Sequence, residues 1–248
     1  MKKLLIVIVV LLVLVPGGLA LAGLALGHRK ITTHTVAEPV REIVVKSGSG
    51  DVDLIPAGAR VQVRETRHYI FEQPTLEQDL TNGVLTLEPH CGGWYFNCST
   101  DLRVTVPAGI EVTIEADSGD VHADGIDVRN IHARSDSGDV HLALGGRQAL
   151  AWAHTGSGDV HVETANTRAV DAQTDSGDVN IAAQRAPRRV VARTDSGDVN
   201  VDVPAGEYAV DTATDSGDEN IDGISRNDRA PRSIKAQTDS GDVTLDGR

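Results

Sequence analysis

The stretch TDSGDVNI, Thr174–Ile181, returns about twenty residues later as TDSGDVNV, Thr194–Val201. Shorter forms of the same segment occur six more times. The aspartate after the glycine stands at Asp51, Asp120, Asp139, Asp159, Asp178, Asp198, Asp218 and Asp242. From Asp120 onward the spacing stays close to 20 residues until the last step, so the chain is a series of repeats.

Within each repeat, apolar and polar residues alternate. Val179, Asn180 and Ile181 follow one corner, and Val190 and Ala192 occupy alternate positions before the next. A period of two predicts β-strands. Each repeat is therefore a strand, a turn, a second strand and a Ser-Gly-Asp corner, in which glycine supplies a positive φ.

The predicted fold is all-β, a flattened parallel β-solenoid with one repeat per rung. Each rung is expected to stack on its predecessor about 4.8 Å away, which explains why equivalent positions carry like residues. An antiparallel meander is the alternative, because a Ser-Gly turn between alternating strands is also a hairpin signal. Aromatic residues make up only 3% of the chain, which favours a thin core. We expect an N-terminal segment over 1–30, an irregular β cap over 31–110 and the repeat domain over 111–248.

The N-terminus has the pattern of an export segment. Lys2 and Lys3 precede an uncharged apolar run, Leu4–Gly27, that is long enough to cross a bilayer as one transmembrane helix. The alternative is a cleaved signal peptide, since Ala20-Leu21-Ala22 is a cleavage-site pattern. Either way the rest of the chain lies outside the cytoplasm, tethered to the membrane or, if residues 1–22 are removed, secreted.

Cys91 and Cys98 are the only cysteines, and export favours a disulfide between them. A metal site with His90 is the alternative, but it offers three ligands at irregular spacing. Trp94, Tyr95 and Phe96 in the intervening loop are expected to cap the core or form a contact patch.

The net charge of −13 lies entirely in residues 111–248, because residues 1–110 contain equal numbers of acidic and basic groups. Such a surface disfavours nucleic acid, which proteins bind with lysine and arginine. Divalent or otherwise cationic partners suit it better.

The stacked aspartates are candidate ligands for calcium ions. Unit charges 4.8 Å apart repel by roughly 1 kcal/mol in water, and bound Ca²⁺ would relieve this. The alternative is a row of solvated corners, without any cofactor. In that interpretation the first aspartate of each corner accepts a backbone N–H in an Asx-type turn. The candidate ligands are Asp120, Asp139, Asp159, Asp178, Asp198, Asp218 and Asp242.

Two further side-chain series contain residue types that are typical of functional sites. His122, His141 and His161 form a ladder that would suit a transition metal, although exposed strand histidines usually bind nothing. The Ser-Gly pairs resemble a nucleophile motif, but a nucleophile needs one base and one oxyanion hole. Equivalent serines on every rung are better explained by the corner.

An N-terminal membrane segment, a cysteine pair, VTVPAGIEVTI and serial SGDV repeats together resemble the toast-rack family of bacterial putative adhesins. The resemblance covers about residues 40–248. It implies a β-strand-repeat domain outside the cytoplasmic membrane, often associated with envelope stress, and supplies no catalytic residues.

We therefore expect a membrane-tethered, extracytoplasmic module that binds or senses and is not an enzyme. Its partner would be an envelope protein or a cell-surface polymer, not nucleic acid. One alternative is a carbohydrate-active β-helix enzyme, but such enzymes use unlike catalytic carboxylates, whereas these repeat alike. The other is a purely structural envelope protein.

Overall fold

The computed structural model describes residues 27–58, 60–92 and 98–248, which form twenty strands and no helix. The predicted all-β class is confirmed. The strands are β1 (His28–Thr35), β2 (Glu42–Ser49), β3 (Val52–Pro56), β4 (Gln62–Tyr69), β5 (Thr75–Thr81), β6 (Val84–His90), β7 (Cys98–Val106), β8 (Glu111–Ser118), β9 (Val121–Ile126), β10 (Asn130–Ser137), β11 (Val140–Ser157), β12 (Val160–Ser176), β13 (Val179–Ala183), β14 (Arg189–Ser196), β15 (Val199–Val203), β16 (Gly206–Ser216), β17 (Glu219–Asp222), β18 (Ile224–Arg226), β19 (Ser233–Ser240) and β20 (Val243–Gly247).

The predicted membrane anchor or signal segment lies almost entirely outside the described residues, which begin at Gly27. Among the residues that are described, no helix is long and apolar enough to cross a membrane. The aromatic side chains predicted at 94–96 also lie outside the described part of the chain.

The alternation of the repeats becomes the two sides of each strand. In β10, Ile131 and Ala133 are fully buried, whereas His132 and Arg134 face solvent. The buried positions of all rungs merge into one apolar cluster that runs from Val36 to Leu245. Valine, isoleucine and alanine fill it because their side chains suit a pleated surface with little depth.

The repeats pair in parallel, rung upon rung, so the antiparallel meander is wrong for this part of the chain. β10 lies between β8 and β11, and Ile131 is opposite Val112 on one side and Ala151 on the other. On the second face of the core, β9, β11, β12, β13 and β15 pair in the same way. The result is a curled open sheet whose two faces share the core.

The order of the rungs in space differs from their order in the chain. The last rung, β19 and β20, lies between the β14–β15 rung and the β16–β17 rung. At the other end, β2 and β3 lie between the β6–β7 pair and the β8–β9 rung. The expectation that each rung stacks on its predecessor is therefore wrong at both ends.

The long connection before β19 makes the C-terminal exchange of layers feasible. β18 pairs with Gly206–Tyr208 at the start of β16, and residues 227–232 then return the chain to the inner layer. Tyr208 is fully buried at this crossing, and its hydroxyl donates to the Pro204 carbonyl at 2.8 Å. Consequently β16 and β17, although they precede the last rung in the sequence, form the outermost rung.

The N-terminal part adds antiparallel strands that cover the first rungs. β4 pairs with β7 and β1, and β5 pairs with β6. The predicted disulfide between Cys91 and Cys98 is present. Glu65 on β4 is fully buried, and its carboxylate accepts from Arg67 and contacts His34 of β1 at 2.7 Å. This ion cluster, which ties β1 to the cap, was not predicted.

Candidate functional site: two edges and the faces between them

The Ser-Gly-Asp corners turn the chain from the first strand of each rung to the second. Gly177 and Gly197 have φ values of 139° and 142°, as the corner interpretation requires. A Cβ atom on Gly197 would lie 2.1 Å from the carbonyl oxygen of Gly177 in the adjacent rung. Glycine is therefore needed for its backbone conformation and for the close approach of neighbouring rungs.

The aspartate that ends each corner forms a hydrogen-bonded ladder between rungs. The backbone N–H of Asp198 donates to Oδ1 of Asp178 at 2.8 Å, and Asp178 donates likewise to Asp159. The ladder runs, in spatial order, through Asp101, Asp51, Asp120, Asp139, Asp159, Asp178, Asp198, Asp242 and Asp218. Each carboxylate thus links its rung to the next, which explains why an aspartate recurs there.

The first aspartate of the corner behaves differently from the prediction. The predicted hydrogen bond from a backbone N–H is accepted by the second aspartate of the corner instead, and its donor lies in the next rung. The prediction of a local Asx-type turn at the first aspartate is therefore wrong. The first aspartates are exposed, and among the described residues none of them accepts a backbone N–H. They are Asp117, Asp136, Asp175, Asp195, Asp215 and Asp239.

A buried hydroxyl column completes the corners. Thr194 is only 4% exposed, and its Oγ1 donates to the Gly177 carbonyl oxygen at 2.9 Å. The same bond recurs from Ser135, Thr155, Thr174, Thr214 and Thr238 to the corner glycine of a neighbouring rung. The column is polar because an inward carbonyl at each corner needs a donor.

The seven candidate calcium ligands are distributed one per rung along the corner edge. Within the described ranges, no group of three or more histidine, cysteine, aspartate or glutamate side chains could hold a metal ion. Oδ1 of each internal ladder aspartate is already an acceptor for backbone. A cation would have to bind between rungs through the remaining oxygen.

The three predicted histidines stack on one outer face. The rings of His141 and His161 are nearly parallel, with their centroids 4.8 Å apart, and the His122 ring follows at 6.0 Å from His141. Burial, and then the neighbouring His161 and His122, lower the pKa of His141. Stacked rings direct their nitrogens in parallel, so this geometry does not gather three ligands around one ion.

On the other outer face, Trp152 lies between two histidines. Its ring is 3.8 Å from that of His154 and 5.7 Å from that of His132. His154 also contacts Oδ1 of Asp171 at 3.3 Å. Burial disfavours the ionised form of Asp171, but hydrogen bonds from His154 and Gln173 outweigh it and lower the pKa of that carboxyl.

The turns opposite the corners form an arginine edge that the sequence interpretation missed. Arg168 and Arg188 are adjacent in neighbouring rungs, because the Arg188 N–H donates to the Arg168 carbonyl at 2.8 Å. The Ala149 N–H donates in the same way to the carbonyl of Arg129, and Ala149 occupies the rung between Arg129 and Arg168. The signal was an arginine between successive corners of most repeats, just before a strand at Arg129, Arg188 and Arg232 and within β11 and β12 at Arg147 and Arg168.

A family model described as Toastrack DUF4097 matches residues 29–246. Among solved structures, a putative adhesin from Bacteroides fragilis is 15% identical, with a TM-score of 0.47, and the match covers 88% of this chain and 97% of that one. A putative cell adhesion protein from Clostridium sporogenes is 12% identical, with a TM-score of 0.44, and the match covers 89% and 100%. No curated protein matches the chain.

Proposed function

The chain belongs to the Toastrack DUF4097 family, and from that premise we propose that it is a non-enzymatic binding or sensing module outside the cytoplasmic membrane. In this proposal residues 4–27 form a single transmembrane helix that carries a flattened β-solenoid, or residues 1–22 are removed and the module is secreted. The partner is an envelope protein or a cell-surface polymer.

The observation that carries the proposal is the use of the repeated carboxylates. Enzymes that cleave glycosides place unlike carboxyl groups at a defined separation around one bond. Here the corner aspartates are alike on every rung, and each internal one accepts a backbone N–H of its neighbour. Groups committed to the same structural bond on each rung are poor candidates for a unique reaction.

The disulfide supports the export part of the proposal. Cys91 and Cys98 are paired, and such bonds persist in oxidising compartments rather than in the cytosol. Together with the charged and apolar N-terminal pattern, the bond favours a location beyond the cytoplasmic membrane.

Cell fractionation with protease added from outside tests this location. The full-length chain should sediment with membranes, and its repeats should be degraded in intact spheroplasts. A chain that remains protected and has two reactive thiols would contradict the proposal. If the segment is cleaved, the mature chain should appear in the medium and lack residues 1–22.

Assays of polysaccharide cleavage distinguish a binding module from an enzyme. Purified full-length protein, incubated with envelope polysaccharides, should retain them without releasing smaller products. Sustained release of reducing ends would favour the carbohydrate-active alternative.

Deletion of the gene distinguishes a sensor from a structural protein. Loss of a sensor abolishes a stress response and leaves the envelope intact.

A further inference from the structure

An open cleft of about 480 Å³ lies on the arginine edge. Its volume is in the range of small-ligand sites. It is formed by turns from successive rungs, so its long direction follows the stack. The lining residues are Arg129, Arg147, Gln148, Ala149, Asn166, Thr167, Arg168, Ala186 and Arg188.

The cationic groups of the cleft are largely unpaired. Arg147, Arg168 and Arg188 form no ion pair with any residue that the structure describes. Arg129 only approaches Glu111, at 3.6 Å, and both side chains are well exposed. In a chain with a net charge of −13, a cluster of unneutralised arginines is a local reversal of sign. Such a reversal attracts an anion.

A buried amide in the same cleft also lacks a partner. Gln148 is 1% exposed, and its Oε1 accepts from the Thr167 hydroxyl at 2.9 Å. Its Nε2 has no hydrogen-bond partner among the described residues. A buried donor without an acceptor is costly, and a ligand oxygen would relieve that cost. Two independent features, unpaired guanidinium groups and an unpaired amide, therefore converge on one cleft.

The arginines continue as a line beyond the cleft. Arg189 pairs with Ser233, which places Arg232 beside Arg188 in the next rung. Neighbouring rungs are about 4.8 Å apart, and arginines occupy four of five successive positions in this column, with Ala149 between Arg129 and Arg168. A linear polymer with carboxylates along its length matches this pattern better than a single lipid headgroup does.

We propose that the arginine edge, centred on this cleft, binds a carboxylate-bearing polysaccharide. Guanidinium groups of Arg147, Arg168 and Arg188 would hold carboxylates through paired hydrogen bonds. The Gln148 Nε2, which is buried in the unliganded cleft, would donate to a hydroxyl or ring oxygen of the sugar once its side chain turns toward the ligand. This inference rests on the proposed binding function and names the chemistry of its ligand.

Calorimetric titration of the full-length protein with polygalacturonate tests the inference, with the methyl-esterified polymer as the uncharged control. We expect binding of the acidic polymer only, weakening steeply as salt is added. The triple variant Arg147→Gln, Arg168→Gln, Arg188→Gln should bind about tenfold or more weakly, because charged hydrogen bonds are lost. Arg60→Gln, Arg64→Gln, Arg226→Gln, with the same change of charge elsewhere, should bind like the parent.

Several outcomes would overturn the inference. They are no binding of polygalacturonate at low salt, equal binding of the esterified polymer, and equal losses in the two triple variants. Binding to phosphatidylglycerol vesicles without binding to polygalacturonate would assign the edge to lipid instead. A melting curve of each variant verifies folding. If Arg147→Gln, Arg168→Gln, Arg188→Gln does not fold, Gln148→Leu replaces it and should also weaken binding.

The titration and the protease experiment together distinguish failure of the ligand assignment from failure of the proposed function. If the chain is reached by external protease but does not bind polygalacturonate, only the ligand assignment fails. If the chain is cytoplasmic, the proposed function fails, whatever the titration shows.

Discussion

The two edges of the stack differ in how uniform their rungs are. On the corner edge every rung repeats nearly the same residues, whereas the opposite turns vary from Gly145-Gly146 to Pro204–Gly206. The corner residues bond to the rungs on either side, through the aspartate ladder, the hydroxyl column and the glycine contacts. The opposite turns need only reverse the chain. A uniform edge therefore holds the stack together, and the variable edge is free to carry binding groups.

The largest difference in stability between the two edges is expected when one methyl group is added at a corner. Gly177→Ala should destabilise the protein by about 3 kcal/mol, because the φ of 139° is strained for alanine and the new Cβ meets the Gly158 carbonyl. Gly206→Ala on the opposite edge, where the nearest atom is 3.7 Å away, should be close to neutral. Chemical denaturation measures both; equal losses would remove the distinction between the edges.

Loss of the disulfide in the cap should destabilise the protein more than a substitution on the variable edge, and less than a substitution at a corner glycine. Replacing Cys91 and Cys98 by serine should cost about 2–3 kcal/mol, the value expected for opening a short disulfide loop. Thermal unfolding of the parent protein with and without reductant compares the stability of the disulfide-bonded and reduced forms in the same way. If reduction leaves the unfolding curve unchanged, the disulfide does not stabilise the cap.

A smaller effect is expected from the hydroxyl column. Thr194→Val keeps the shape of the side chain but leaves the inward Gly177 carbonyl without its donor, at a cost of about 1–2 kcal/mol. Thr244→Val is the matched control, because Thr244 lies on the outer side of β20, where no such carbonyl depends on it. Similar denaturation midpoints for the two variants would show that the column is not structural.

The histidine stack predicts a weak dependence of stability on pH. The pKa of His141 is lowered by burial and by His161 and His122, against the opposing charges of Glu163 and Asp124. As the pH falls through about 6.5, the unfolded chain takes up a proton that the folded chain resists, so stability decreases. His141→Asn should make this decrease shallower. Asn180→His, which extends the stack, should make it steeper; unchanged slopes in both would exclude the stack as the cause.

Much of the fold was predictable because its periodicity is local. The alternation around Val190 and Ala192 specifies a strand whatever its neighbours are, and the corner glycines specify a turn. The spatial order of rungs was not predictable, since the columns of β15, β17 and β20 are alike and each rung could pair with any other. Val243, for example, pairs with both Val199 and Glu219.

The candidate sites were predicted less completely. A sequence does not show whether a carboxylate bonds within its own turn or to the next rung, so the role of Asp178 was assigned to its neighbour Asp175. The arginine edge was missed because the turns vary in length. Residues such as Arg168 and Arg188 align only when the strand register is known.

The central claim is that the corner aspartates are structural rather than a row of cation sites, and a calcium titration tests it most directly. The melting temperature of the parent and of Asp178→Asn, Asp198→Asn is measured in calcium chloride and in sodium chloride of equal ionic strength. Asparagine keeps an Oδ1 acceptor and removes charge repulsion, so the double variant should be as stable as the parent or slightly more stable. Calcium should act on both only as sodium chloride does. A saturable calcium stabilisation of the parent that the two substitutions abolish would contradict the account.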